Sequence, residues 1–132
     1  MDKPRIRKQH GPEYGIQRDI VKYLRARGWH VERLIGGAWQ SGLSDLFICH
    51  KNFGVRFVEI KQEEHYRFTR AQKYKFPLLM KNGCGIWILT EASDEQYARL
   101  FQSPNLWDYL KLTDCPSNDE IDRWLQEIED EA

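Results

Sequence analysis

Glu59 and Lys61 stand two positions apart in the run Val58-Glu59-Ile60-Lys61, and residues two apart on an extended strand point to the same face. That spacing sets an acid beside an amine. A second acid, Asp45, lies in the preceding apolar stretch from Leu43 to His50. If Gly54 takes the left-handed position of a three-residue hairpin loop, residue 51 faces 55, which sets 45 opposite 61 and 47 opposite 59. Asp45 then shares the face of Glu59 and Lys61 and lies diagonal to Glu59 at roughly 7 Å. A loop with an even number of residues would turn Asp45 to the other face.

Two carboxylates at that separation repel by roughly 2–3 kcal/mol at an effective dielectric near 20. A cation relieves this. Lys61 supplies one charge, and a hard divalent ion such as Mg²⁺ or Mn²⁺, held by two carboxylates, waters and a substrate phosphate, supplies the rest. Such an ion acidifies a bound water and stabilises the charge that develops when a phosphodiester is attacked. Lys61 is then placed to orient the water or to screen the phosphate. The plainer reading of a single D…ExK pattern is an ordinary salt bridge on a half-exposed strand.

The elements that position these groups can be read from periodicity. Ile16, Ile20, Tyr23 and Leu24 recur at helical spacing, with Pro12 suited to a first turn, Glu13 favourable near the positive helix end and Gly28 as a stop. Trp29 to Leu34 alternates as a short strand, and Gly36 to Gly42 reads as a loop. Leu43 to His50 and Val55 to Lys61 are two further strands. Thr69 to about Asn82 is a second helix entered by a capping box, Thr69-x-x-Gln72, with Pro77 expected to bend or shorten it. Cys84 to Thr90 fits a buried central strand. Tyr97 to Gln102 is compatible with strand or helix, Pro104 to Leu112 holds a short turn-helix, and Ile121 to Ile128 is an amphipathic helix. The order α-β-β-β-α-β defines an α/β fold, a mixed four-stranded sheet flanked by helices.

The chain's 132 residues suit one domain. Residues 1–11 form a basic arm expected to be mobile, and 12–132 form the domain, divided into a core over 12–90 and an acidic extension over 91–132. No apolar run approaches membrane-spanning length and no stretch resembles a signal peptide, so the expectation is a soluble, cytoplasmic protein. Cys49, Cys84 and Cys115 are odd in number and far apart, which favours free thiols over a disulfide framework or a zinc site. A formal net charge of zero conceals a division: residues 1–90 hold 17 basic and 8 acidic side chains, and residues 91–132 hold 3 and 12. A basic half suits a phosphate-binding surface, but it equally suits solvated helix faces with the acidic tail folded back over them.

Helix-borne Glu13, the segment Gly42-Leu43-Ser44-Asp45-Leu46, the strand Val58-Glu59-Ile60-Lys61 and Thr69-x-x-Gln72 follow one another in an order and spacing that resemble the PD-(D/E)xK phosphodiesterases. The match is closest to the virus-type replication-repair nuclease branch, VRR-NUC, over about residues 12–90. The resemblance implies a restriction-endonuclease-like core, with Asp45 and Glu59 as metal ligands, the Ile60 backbone carbonyl as a further ligand and Lys61 as the catalytic lysine. It also implies that Glu13 completes or supports the metal site and that Gln72 is an active-site residue near the lysine. Ser44 stands where the family usually carries proline, a change in loop stiffness that removes no ligand.

Each supporting residue has a structural alternative. Glu13 can serve the helix start alone, and Gln72 can be half of a capping box, with both roles compatible. The Gly36 to Gly42 loop can admit a phosphate backbone or simply turn the chain; Trp39 within it can stack on a base or pack at a subunit contact. His30, His50 and His65 lack ligand spacing. The functional expectation is a metal-dependent endonuclease acting on structured or branched DNA such as four-way junctions or flaps. Substrate phosphates are drawn by Lys3, Arg5, Arg7 and Lys8 of the arm and by Arg67, Arg70, Lys73 and Lys75 around the second helix. Two symmetric nicks in a junction call for a homodimer. The rival readings are a DNA-binding module without turnover and a nuclease component whose acidic tail docks a replication or repair partner. Alanine at Asp45, Glu59 or Lys61 is expected to abolish cleavage and leave the fold intact.

Overall fold

The computed structural model describes residues 12–34 and 44–131; the basic arm and the glycine-rich loop with Trp39 lie outside them. Helix α1 runs over Pro12–Arg25, with Glu13 in its first turn and Lys22 and Arg25 in its last, the charge order that the helix dipole favours. Gly28 follows at φ 89° and turns the chain into β1, His30–Arg33. Strands β2 (Leu46–His50) and β3 (Gly54–Ile60) form a hairpin, α2 covers Arg70–Lys81, and β4 covers Ile86–Leu89. The sheet order is β1-β2-β3-β4, antiparallel except for the parallel pair β3–β4. The fold is therefore α/β, with a mixed four-stranded sheet flanked by helices.

Strand alternation divides the interior in two. Val58 and Ile60 of β3 join Leu46, Ile48 and Leu89 under Ile20, Val21 and Leu24 of α1. On the opposite face Phe57, Ile86 and Ile88 pack with Phe76 of α2 and with Leu106 and Leu110. Odd-numbered residues of β3 thus face α2, and Glu59 inherits that face from its position alone.

Gly54 does take φ 89°, but the register differs from the expected one by a step. His50 pairs with Gly54, Phe47 with Phe57 and Leu46 with Val58, so the turn consists of residues 51–53. Residue 47 does not face 59, nor 45 face 61; continuing the ladder sets Asp45 directly across from Glu59. The shift is even in total, so Asp45 keeps the expected face. Asp45 itself lies just before β2.

β4 is an edge strand and not the expected central one. Its burial comes from a later segment: Asn105 accepts from the Ile88 N–H at 2.7 Å and donates to the Ile88 carbonyl at 3.1 Å. This amide, with Arg99 donating to the same carbonyl at 3.2 Å, satisfies at Ile88 the backbone groups that a fifth strand would have met. Helix α2 continues through Pro77 to Lys81 without being cut short. The packed faces of Phe76, Leu79 and Met80 hold it, offsetting the roughly 3 kcal/mol that an interior proline costs.

The ambiguous stretch after β4 is helical. Ser93 Oγ accepts from the Gln96 N–H and opens α3, Asp94–Ala98, which passes into a single 3-10 turn at Arg99–Phe101. Further 3-10 turns follow at Leu106–Asp108 and Leu112–Asp114. The last helix, α4, covers Asn118–Glu131 and begins earlier than hydrophobic spacing indicated, because Ser117 and Glu120 cap each other reciprocally. Among the described residues no helix is long and apolar enough to cross a membrane, and the three cysteines are free.

Candidate active site

The C-terminal end of β3 brings together four of the side chains singled out by spacing. Glu59 and Lys61 are 2% and 4% exposed, so their pairing is no surface salt bridge. The Lys61 ammonium lies 3.0 Å from Glu59 Oε2 and donates to Gln72 Oε1 at 3.3 Å and to the Arg67 carbonyl at 2.5 Å. Its three protons are thereby matched by three acceptors. The Phe68 ring lies 4.5 Å from the same nitrogen, so the lysine is held in one place.

Asp45 and Glu59 are fixed by each other's backbone surroundings. The Asp45 N–H donates to Glu59 Oε1 at 3.1 Å, and Asp45 Oδ2 accepts from the Ile60 N–H at 2.8 Å. Burial, and then the neighbouring Asp45 charge, push the Glu59 carboxyl up to about 8, against the pull of Lys61 and Gln72. Burial likewise raises the Asp45 carboxyl, with the Ile60 N–H and Lys61 opposing and Glu13 assisting. Facing carboxylates in a desolvated site do not both ionise cheaply, so without a further cation burial favours the protonated form of Glu59.

Gln72 belongs both to the helix cap and to the Glu59–Lys61 cluster. Its Oε1 accepts from the Thr69 N–H at 3.0 Å while Thr69 Oγ1 accepts from the Gln72 N–H at 3.1 Å, the complete capping box. Its Nε2 donates to Glu59 Oε2 at 2.9 Å. The orientation of the amide is fixed chemically, since Thr69 N–H and Lys61 are both donors and demand the oxygen. Glu13 reaches the site's rim from the first turn of α1, where Oε2 accepts from the Gln62 N–H at 3.1 Å.

Other candidates are dispersed. Arg67 is exposed next to the lysine's anchor. Arg70 lies over the Tyr74 ring, and the half-buried Lys75 lies toward Trp124 of α4, 5.9 Å from the ring centroid. Lys3, Arg5, Arg7 and Lys8 fall outside the described residues. His30 pairs with Glu32, and His50 packs against Trp29 and Phe53 at the far hairpin; neither approaches the carboxylates. Sequence reasoning missed that the Arg67 carbonyl and Phe68 hold Lys61. Their place directly before the Thr69 cap was the available signal, because a capped helix start fixes the residues leading into it.

Among the described residues no cluster of three or more His, Cys, Asp or Glu side chains is arranged to hold a metal ion. The donors at hand are two carboxylates in contact, supplemented by the Ile60 carbonyl. A residue's N–H and C=O leave a strand on the same edge, so this carbonyl is directed toward the side where Asp45 meets the Ile60 N–H. An all-oxygen set with one or two carboxylates fits magnesium or manganese, which retain waters and bind substrate phosphate. Comparison with known proteins finds no family model that matches the chain and no match among curated proteins or solved structures.

Proposed function

We propose that this protein is a divalent-metal-dependent endonuclease that hydrolyses DNA phosphodiester bonds, with a preference for structured or branched DNA. One observation carries the reading: Asp45 just before β2, Glu59 near the end of β3 and Lys61 just past it converge on one face, and Gln72 joins the Glu59 carboxylate to the lysine. The helix-sheet-helix order and the ExK strand also agree with the resemblance to the PD-(D/E)xK phosphodiesterases.

In this reading Asp45 and Glu59, with the Ile60 carbonyl, would hold Mg²⁺ or Mn²⁺, which would supply Lewis-acid polarisation of the scissile phosphate and a more acidic water. Lys61 presents a fixed positive charge to the phosphate, and its anchoring by Arg67 and Phe68 keeps that charge in place before substrate arrives. Gln72 holds Glu59 and Lys61 in mutual register. Glu13 fixes the chain just beyond the lysine through the Gln62 N–H.

The test is a cleavage assay on single-stranded, duplex, flap and four-way-junction DNA in EDTA, Mg²⁺ and Mn²⁺. Metal-dependent cutting, strongest on the branched substrates and lost in Asp45→Asn, is the expected result. Salt-sensitive binding without cutting on all four would replace the proposal with a DNA-binding module. Cutting undiminished in Asp45→Asn would remove the mechanism.

A further inference from the structure

Beside the candidate active site the C-terminal segment builds a second wall that the motif does not contain. A cleft of about 580 Å³ is lined by Tyr66, Arg67 and Phe68, by Lys73 of α2, and by Tyr109 and Lys111 of the later segment. It lies one residue layer from Lys61, because Arg67 and Phe68, which line it, are two of the lysine's supports. Glu64 and Asp114 also line it, so three cations face two anions and the cleft keeps a positive balance. Residues 91–132 contain only three basic side chains, and one of them, Lys111, lines this cleft together with Arg67 and Lys73.

Tyr66 and Tyr109 meet edge to face, with ring centroids 5.2 Å apart, and both are half-buried. They also line a second cavity, of about 350 Å³, on their other side. That cavity carries Arg99, Asn105, Gln102, Glu63 and Asp108, a mixture of donors and acceptors with no excess of positive charge. Phosphates and bases would therefore find different surroundings on the two sides of one aromatic pair. Cations spaced along a cleft suit a sugar-phosphate backbone, and aromatic faces next to them suit unpaired bases, which stack without regard to sequence. A paired duplex cannot offer its bases to these rings.

We infer that this cleft is the track for an unpaired nucleic-acid strand running away from the active site, with Lys111 contacting phosphate and Tyr66 stacking on a base. The inference deepens the nuclease reading and rests on it for the direction of the track. It assigns residues 99–114 a part in substrate binding.

Fluorescence anisotropy with single-stranded deoxythymidine and uridine oligonucleotides, at several salt concentrations in EDTA, tests it. Lys111 makes no side-chain bond among the described residues, so Lys111→Glu leaves the fold's contacts in place, and Lys51→Glu makes the same charge change at the far hairpin. Lys111→Glu should weaken binding at least several-fold and lower the slope of log K against log salt by about 0.7, the value for one phosphate contact on a single strand. Tyr66→Ala should weaken binding roughly tenfold with little change in that slope, and Lys51→Glu should match wild type. The two oligonucleotides show whether the track distinguishes DNA from RNA. Cleavage of flap DNA with Mn²⁺ is measured in parallel. Wild type that binds with these variant effects but never cuts overturns the nuclease reading and leaves the track standing. Equal affinities and slopes for wild type, Lys111→Glu and Tyr66→Ala, with folding intact by circular dichroism, overturn the track whether or not the protein cuts.

Discussion

Gln72 donates to Glu59 across 2.9 Å, joining the first turn of α2 to the end of β3. The same amide completes the cap with Thr69, so the start of a helix and the setting of a buried carboxylate are one structure. Gln72→Leu should cost about 1–3 kcal/mol in urea unfolding, because it strands buried donors and an acceptor, and should abolish cleavage. Thr69→Ala should lose about 1 kcal/mol and retain most cleavage. If both variants lose activity equally, the amide acts only through the cap.

Lys61 is too deeply placed for removal to be structurally silent, contrary to the sequence-based expectation for its alanine variant. Lys61→Met leaves Glu59 buried without its cation and should cost about 3–5 kcal/mol at pH above 8. The double variant Lys61→Met/Glu59→Gln should be more stable than Lys61→Met alone, since it removes the orphaned charge. Chemical unfolding of the four members of this cycle measures the coupling. Additive losses would mean that the pair at 3.0 Å contributes nothing mutual.

Stability without added metal should fall as pH rises. Folded Glu59 retains its proton up to about 8, whereas in the unfolded chain it ionises in the ordinary carboxylate range. The folded state therefore binds more protons across that window, and stability present at its acid end is lost toward pH 8. The slope is at most about 1.4 kcal/mol per pH unit for one proton. Thermal melts from pH 5 to 8 should show the fall, and Glu59→Gln should flatten it. A wild-type profile that rises through the window contradicts the protonated dyad.

Mg²⁺ or Mn²⁺ should reverse that trend. An ion at a hundred times its dissociation constant stabilises by about 2.7 kcal/mol, readable as a rise in melting temperature, and its binding should displace the proton that Glu59 retains. Calorimetry in two buffers of different ionisation enthalpy counts that proton. Asp45→Asn should remove both the rise and the proton release, whereas a wild type indifferent to either ion would eliminate the metal site.

The part of this arrangement legible in the sequence is local. Period-two spacing set Glu59 and Lys61 on one face, Gly54 marked the hairpin, and Thr69-x-x-Gln72 marked the helix start. Pairing is not local, and there the reading slipped. The turn uses residues 51–53, which moved Asp45 from a diagonal to a facing position relative to Glu59. The apolar run Ile86–Leu89 showed burial but not its source, because a side chain 17 residues further along covers the strand. Pro77 carries an intrinsic cost visible in the sequence, while Phe76 and its neighbours supply the packing that outweighs it. The two Ser-capped helices after Thr90 carried readable start signals in Ser93 and Ser117, obscured by attention to hydrophobic spacing.

Asn105 imposes a limit on assembly. By answering both backbone groups of Ile88 it terminates the hydrogen-bonding ladder on the β4 side, so a second chain cannot extend the sheet there without first evicting it. Any association of copies that proceeds by strand addition is directed away from β4, and one compact amide thus acts as a guard against polymerisation at that border.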